Sequence, residues 1–343
     1  MKILKNTLFV ILGAVCVAGG VLAWLVVRKP AIAPPSAVKA EMSEAHIARG
    51  RFLFTVVCGC DNCHSQLDHS RFGAVVVPGG RGRGGLFPET GLPGTVYAPN
   101  ITPDPETGLG KWTDGEKIRA IREGVSRDGR ALFPLMPYLA FRYMSDEDAE
   151  SMVAYMNTLP AIHNPVPTTT LQFPVSLLVK GEPQPAGSVK PVDRANKRLY
   201  GEYLVTLSSC ETCHTYEEKG SLDLSRRFGG GRRFTLAGGP TVVSANISPD
   251  VETGIGGWTL QRFLERFQAY RGYVRNGSPE AGPERFTVMP WLQFAQYPDE
   301  DLEAVYIYLM SRTPIHNPVE KRTIALLQPE LLVWPGVVEA EAK

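Results

Sequence analysis

The sequence predicts a mainly α-helical, loop-rich protein in which one apolar N-terminal helix leads into two tandem copies of a single domain. Three observations carry that reading. The pentapeptide Cys60-Asp61-Asn62-Cys63-His64 returns as Cys210-Glu211-Thr212-Cys213-His214. Further stretches return in the same order. Asn100-Ile-Thr-Pro-Asp-Pro-Glu-Thr-Gly108 matches Asn246-Ile-Ser-Pro-Asp-Val-Glu-Thr-Gly254, and Trp112-Thr113 matches Trp258-Thr259. Met136-Pro137-Tyr138 matches Met289-Pro290-Trp291, and Ile162-His-Asn-Pro-Val166 matches Ile315-His-Asn-Pro-Val319. Finally, no charged residue falls between Thr7 and Val27. A length of 343 residues suits two domains, and 34 Gly with 28 Pro favour loops over long regular elements.

At about 1.5 Å per residue, a helix over Thr7–Val27 is as long as the ~30 Å hydrocarbon layer of a bilayer. Lys2 and Lys5 precede it, as in a secretory signal, but the apolar part of a cleaved signal is only about 7–15 residues long. We therefore expect an uncleaved signal-anchor over residues 1–29, with the small residues Ala18, Gly19 and Gly20 as the alternative cleavage point. Cys16 within it reads as a buried small hydrophobe. Lys2 and Lys5 on one side balance Arg28 and Lys29 on the other, so charge alone does not orient the helix. Pro30–Pro35 reads as a short stiffened spacer. A net charge of +1 argues against a nucleic-acid role.

Each half shows a helix before its Cys-Cys-His motif and another at its end. Ser43 suits the N-cap of a helix running through Ala48 and Phe52. Ser145-Asp-Glu-Asp148 opens a helix through Val153 and Leu159, which Pro160 stops. Pro298 suits the first helical position of a helix reaching Met310, with Asp299, Glu300 and Asp301 on the favourable end of the dipole. Gly50 and Phe52 before one motif match Gly201 and Tyr203 before the other, and Tyr155 matches Tyr308 in the terminal helices; a Gly opposite an aromatic lets two helices cross closely. Between Trp112/Trp258 and Arg122/Arg275 the second half is seven residues longer. Seven is close to two helical turns, which predicts one helix over Leu260–Val274 with Phe263, Phe267, Tyr270 and Val274 on its buried side.

The C-x-x-C-H pattern reads as an attachment site for heme c. Two thiols three residues apart lie one turn apart, so each can add to one vinyl group, and the adjacent His is held where it can bind iron. The rival readings are zinc, which needs further ligands that neither half supplies, and a redox disulfide, which needs a βαβ setting. Cys58 reads as a free thiol or as part of a wider attachment through Cys58 and Cys63. Met136 and Met289 are the candidate distal ligands: each precedes a Pro that keeps the chain out of a helix, and they match between halves, whereas Met144, Met152, Met156 and Met310 do not and belong in the core. His163 and His316 read as hydrogen-bonding residues at helix ends, and His46 and His69 as exposed. The loops Gly79-Gly80-Arg81-Gly82-Arg83 and Gly229-Gly230-Gly231-Arg232-Arg233 read either as solvated or as partners of heme propionates.

On these motifs each half resembles a class I cytochrome c domain. The Asn100–Gly108 run, Trp112-Thr113 and Met136-Pro137-Tyr138 are similar to the cytochrome c subunits of membrane-bound bacterial alcohol, gluconate and aldehyde dehydrogenases. The resemblance extends from about Glu44 to Val319. It implies two tandem class I domains with loop-rich heme pockets, at 43–167 and 193–320, joined by linkers at 30–42 and 168–192 and followed by a tail at 321–343. It implies two hemes c, held through Cys60, Cys63, His64, Cys210, Cys213 and His214, with iron ligated by His64, Met136, His214 and Met289. Asn100, Trp112, Asn246 and Trp258 would line the heme edge. Heme attachment in bacteria is periplasmic, so the expected location is the inner membrane, single-pass, with the soluble domains outside. The expected role is electron carriage, not catalysis, between a dehydrogenase or quinol-oxidising complex and a downstream cytochrome or oxidase. The alternative is a diheme peroxidase with one open heme. Subunits of that group commonly carry three motifs and another mode of membrane attachment, so the resemblance leaves the partner open.

Overall fold

The computed structural model describes residues 2–87, 91–218, 220–235, 241–282, 287–320 and 322–323. Most of the tail expected at 321–343 lies outside them. The described chain is mainly helical and loop-rich.

Helix α1 (Lys2–Val27) contains a stretch, Phe9–Val27, of 19 residues with mean hydropathy 2.6 and none of its window buried. It is long and apolar enough to cross a membrane, a property that a signal sequence shares. Cys16, expected to be buried, faces outward from it; a side chain on a lone apolar helix has no protein to be buried against.

Helix α2 (Glu44–Phe52) starts at Ser43, whose hydroxyl accepts from the His46 N–H. His46 is half-buried rather than exposed, because its Nδ1 lies 2.7 Å from that same hydroxyl. After α2 come a single π-helical turn (Leu53–Val57) and α3 (Asp61–His64). Helix α4 (Asp114–Glu123) carries a full capping box, Thr113 with Glu116, and ends at Gly124 in the left-handed region. Helix α5 (Tyr138–Phe141) follows the first Met-Pro, and α6 (Asp146–Asn157) is capped by Ser145 as expected. Helix α7 (Val175–Leu178) lies between the halves.

The second half repeats the plan with α8 (Lys197–Leu207), α9 (Cys210–His214), α10 (Leu260–Gln268), α11 (Arg271–Asn276), α12 (Trp291–Phe294) and α13 (Asp299–Met310). Pro298 is the residue before α13, one position earlier than expected. The single helix expected over 260–274 is instead broken at Ala269–Tyr270. Phe263 and Phe267 are buried, but Val274 is exposed. Tyr270 leaves the helix line to stack on Trp291 (centroids 5.0 Å apart) and on Phe72 of the first half (5.6 Å). The seven extra residues thus build a second short helix instead of lengthening the first.

In both halves the first helix crosses the last at a glycine. A Cβ on Gly50 would stand 2.9 Å from Tyr155 Cβ and collide with the Ser151 carbonyl; on Gly201 it would stand 2.9 Å from Tyr308 Cβ and collide with the Ala304 carbonyl. From that crossing to the motif cysteine the first half has one residue more (Gly50 to Cys60 against Gly201 to Cys210). The π turn absorbs it: the Cys58 N–H bonds the Leu53 carbonyl at 2.8 Å, whereas the matching Ser208 N–H bonds Leu204 at 2.8 Å in α-helical register.

The halves pack reciprocally. Helix α5 of the first rests on α8 of the second, and α12 of the second rests on the π turn of the first. Between them the Tyr203 hydroxyl donates to Asp148 Oδ2 at 2.7 Å and accepts from the Ser145 N–H at 3.1 Å, while Arg49 grips Asp148 through two bonds of 2.7 Å. Met144, Met152 and Met156 are buried as expected, and Met310 packs on the core edge. The strands are mostly two-residue pairs in the loops, such as Gly85–Leu86 with Tyr97–Ala98; Arg233–Thr235, Thr241–Val243 and Arg322–Thr323 form a small three-stranded sheet.

Candidate functional site: two cysteine-histidine turns

Each motif forms a short helical turn directly after the glycine-crossed helix. In the first, the His64 N–H bonds the Cys60 carbonyl at 3.0 Å, so Cys60 and His64 lie one turn apart on one face. His64 is buried and His214 half-buried. His64 Nδ1 lies 2.9 Å from the Pro99 carbonyl oxygen, and His214 Nδ1 lies 2.8 Å from the Ala245 carbonyl oxygen. A carbonyl only accepts, so Nδ1 carries the proton in both rings and Nε2 keeps its lone pair. Burial pulls both imidazoles below the usual histidine pKa, which holds them neutral. A neutral ring anchored through Nδ1–H and presenting Nε2 is the form that a metal takes.

The anchoring carbonyls escaped the sequence reading, since a backbone oxygen leaves no mark in a pattern of side chains. The signal that pointed near them was the residue after each, Asn100 and Asn246. Asn100 donates to Thr107 Oγ1 (3.1 Å) and to the Ile162 carbonyl (2.7 Å), and accepts from the Thr102 N–H (3.0 Å) and hydroxyl (2.7 Å). Asn246 repeats this with Thr253, Ile315 and Ser248. Both amides are therefore spent on locking the loop that carries the histidine-orienting carbonyl. Two glycines complete it. The Gly84 N–H bonds the His64 carbonyl at 2.8 Å and the Gly230 N–H bonds the His214 carbonyl at 2.7 Å, both at positive φ (72° and 69°). A Cβ at either would press on the same loop backbone, 2.5 Å from the nearest carbon.

That register also re-aligns the arginine-rich loops. Gly84 matches Gly230, so Arg81 matches Arg227, not Arg232 or Arg233. Arg81 pairs with Asp61 at 3.0 Å and Arg227 with Glu211 at 2.8 Å, a repeated ion pair onto the residue after the first motif cysteine. Arg83 donates to Gln66 and Asn164, and Arg232 to the Thr212 carbonyl with Glu217 alongside. These guanidinium groups are engaged with the chain itself.

Met136 and Met289 are half-buried against the core in matching turns. The Tyr138 N–H bonds the Met136 carbonyl and the Trp291 N–H bonds the Met289 carbonyl, each at 2.8 Å across a proline (ψ 45° and 66°), an inverse γ-turn in both halves. Trp112 and Trp258 are half-buried; the Trp258 carbonyl accepts from the Tyr306 hydroxyl at 2.7 Å, and Arg262 sits over its ring. His163 and His316 are exposed, each facing two carboxylates: Asp104 and Glu106 for the one, Asp250 and Glu252 for the other, at 3.6–3.8 Å. Cys58 caps the π turn behind Cys60, and burial pushes its thiol pKa well up. Cys210 is likewise pushed up to about 12 by burial. Among the described residues, no group of three or more His, Cys, Asp and Glu side chains stands together as a metal cluster.

Two thiols, a neutral imidazole offering Nε2 and a Met-Pro turn, present in each half, make a donor set that fits heme c. The chain's relatives include cytochrome subunits of alcohol, fructose and gluconate dehydrogenases. It is 28% identical to a diheme c-type cytochrome of Cereibacter sphaeroides over 313 residues, covering 89% of this chain and 98% of that protein. It is 28% identical to the cytochrome c subunit of alcohol dehydrogenase (quinone) of Komagataeibacter europaeus over 270 residues, 75% of this chain and 54% of that one. Over 186 residues it is 36% identical to a component of the nicotinate dehydrogenase of Pseudomonas putida, 50% of this chain and 14% of that one. The chain thus spans about half the length of the alcohol dehydrogenase cytochrome and far less of the nicotinate dehydrogenase component. No family model matches it.

Proposed function

We propose that this protein is a membrane-anchored periplasmic diheme cytochrome c that moves single electrons between a dehydrogenase or quinol-oxidising donor and a downstream cytochrome or oxidase. The observation that carries the reading is the twice-repeated histidine geometry, with Nδ1 fixed to a backbone carbonyl and Nε2 left to ligate. Cys60 and Cys63, and Cys210 and Cys213, would hold the two groups through thioether bonds. Bound heme c supplies a one-electron ferric–ferrous couple. The chain's part is to fix the imidazoles of His64 and His214 through Nδ1 and to exclude water with the paired helices, while Met136 and Met289 would serve as the further iron ligands. With Met136 and Met289 as ligands beside the histidines, no open iron position would be left for an oxidant, which favours carriage over peroxidase chemistry. We place the two class I domains at residues 43–167 and 193–320. The dehydrogenases named for several of the relatives motivate a dehydrogenase as donor here.

The test is a pyridine hemochrome assay with intact mass on the membrane-purified chain. Two covalent hemes per chain and no peroxide turnover without a partner are expected. A single heme, or partner-independent peroxide turnover, overturns the proposal. Co-purification after mild solubilisation identifies the donor.

A further inference from the structure

The stretch between the halves reads in sequence as a linker, yet it is built onto the end of α1. Helix α7 and the 3-10 turn after it (Val179–Gly181) pack against α1. Lys180 Nζ donates to the Val26 carbonyl at 2.8 Å, one of the last four carbonyls of α1, which lack helical partners. Arg28 lies over the Trp24 ring at 4.9 Å, and its guanidinium occupies the space where a Cβ on Gly181 would be, 2.6 Å away. The spacer after α1 is not loose either. The Ala40 N–H donates to Asp114 Oδ2 at 3.0 Å, Arg119 reaches the Ala33 carbonyl, and Gly115 sits against the Ser36 carbonyl. The exit of α1 is therefore held to the soluble part at two places.

Beside that exit, Phe173 is 71% exposed and Leu178 51% exposed. Leu178 belongs to α7, which packs on α1, and Phe173 stands just before it; Lys180 and Arg28 stand where that segment meets the end of α1. An exposed aromatic and an exposed aliphatic group in a segment packed on the end of an apolar helix, with a Lys and an Arg in the same place, is the composition of the membrane–water boundary. If α1 spans, Val27 marks the hydrocarbon edge and α7 falls within the headgroup layer.

We propose that Phe173–Lys180 is a membrane footing. Phe173 and Leu178 enter the acyl–headgroup boundary, while Lys180, Arg28 and Lys29 meet lipid phosphates. The footing fixes which face of the soluble part turns away from the bilayer. It rests on the reading of α1 as a membrane anchor.

The test uses the full-length holoprotein in vesicles of phosphatidylcholine with phosphatidylglycerol, in a Cys16→Ser, Cys58→Ser background. Spin labels are placed one at a time through Leu12→Cys, Phe173→Cys, Leu178→Cys and Val251→Cys; Val251 is an exposed loop residue of the second half. Power saturation compares collision with oxygen, which prefers lipid, to collision with a water-soluble nickel chelate. The expected result is a several-fold higher oxygen-to-nickel ratio at 173 and 178 than at 251, with 12 higher still. Lipid exposure at 12 with water exposure at 173 and 178 overturns the footing and keeps the anchor; a protein partner is then the occupant of the patch. Water exposure at 12 overturns both.

Discussion

The two cysteine-histidine turns are copies in sequence, but each is finished differently by the other half. Against the first turn sits Gln293 of α12. Its Nε2 donates to the Val56 carbonyl at 2.6 Å, and its Oε1 accepts from Asn62, between the motif cysteines, at 2.7 Å. The residue before Cys60 is Gly59 at φ 60°, where a Cβ would stand 2.5 Å from Gln293 Nε2. Against the second turn the residue matching Gln293 is Ala140, which has no amide to offer. There the residue before Cys210 is Ser209, held at φ 53° with its hydroxyl buried and unpartnered. The first turn is pinned across the interface by the Gln293 amide, and among the described residues no matching amide stands at that place for the second. The first histidine is also the more buried. A repeat keeps the means of holding a group, while the interface between repeats makes the two places unequal.

The comparison is broken most severely where the halves are alike. Gly50→Val and Gly201→Val each drive a side chain into a backbone carbonyl that cannot retreat. Both variants are expected to lose about 3 kcal/mol or more, at the upper end of overpacking costs. Thermal unfolding followed by far-ultraviolet circular dichroism checks this. A loss confined to one half would show that the crossings are not equivalent.

Met136→Ala and Met289→Ala separate the sites spectroscopically. Each should lower the midpoint potential of its own site by about 0.2 V, a fraction of the ~0.8 V that axial ligands command, and leave the other in place. The unaltered site then gives its own potential. The site near His64 is expected to be the more positive, because burial disfavours the charged ferric form. Potentiometric titration of each variant reads both values; unchanged potentials in both variants would remove Met136 and Met289 as ligands.

Gln293→Ala tests the pin itself. Two hydrogen bonds are lost, one of them leaving the Val56 carbonyl unpaired, for an expected cost of about 1–3 kcal/mol. The potential of the first site should move and that of the second should not. Equal shifts at both sites would mean that α12 supports the whole interface instead of the first turn.

Much of this plan was legible in the sequence because it is written in side chains with a period or a pair. The helix crossings at Gly50 and Gly201, the caps at Ser43 and Ser145 and the reach of α13 to Met310 all follow from local pattern. Three features did not follow. The π turn is one added residue, invisible when the halves are aligned on their cysteines. The break at Tyr270 depends on Phe72, a partner distant in sequence whose stacking outweighs helical continuity. The carbonyls of Pro99 and Ala245 orient the histidines through backbone atoms that any residue would supply. The stretches 30–42 and 168–192 read as linkers, the first as a stiffened spacer, yet both pack on the rest of the chain, because nothing in composition shows that Asp114 and Val26 offer them partners.

The smallest expected effect is the sharpest probe of the asymmetry. Ser209 occupies the left-handed region, which costs a non-glycine residue roughly 1–2 kcal/mol. Ser209→Gly removes that strain and the unpartnered hydroxyl but adds freedom to the unfolded chain. The net gain should be under about 1 kcal/mol, read as a rise in unfolding temperature. The reciprocal change, Gly59→Ser, meets the same backbone cost and also strikes Gln293, so it should destabilise by more than Ser209→Gly stabilises. In a Gln293→Ala background the collision with Gln293 is gone and the Asn62 amide, 2.9 Å away, has lost its partner and can turn aside, so Gly59→Ser should then cost little more than the backbone strain. Additive penalties in that double variant would show that Gly59 is required by its own backbone angle alone, and that the pin from the second half does not dictate the residue before the first cysteine.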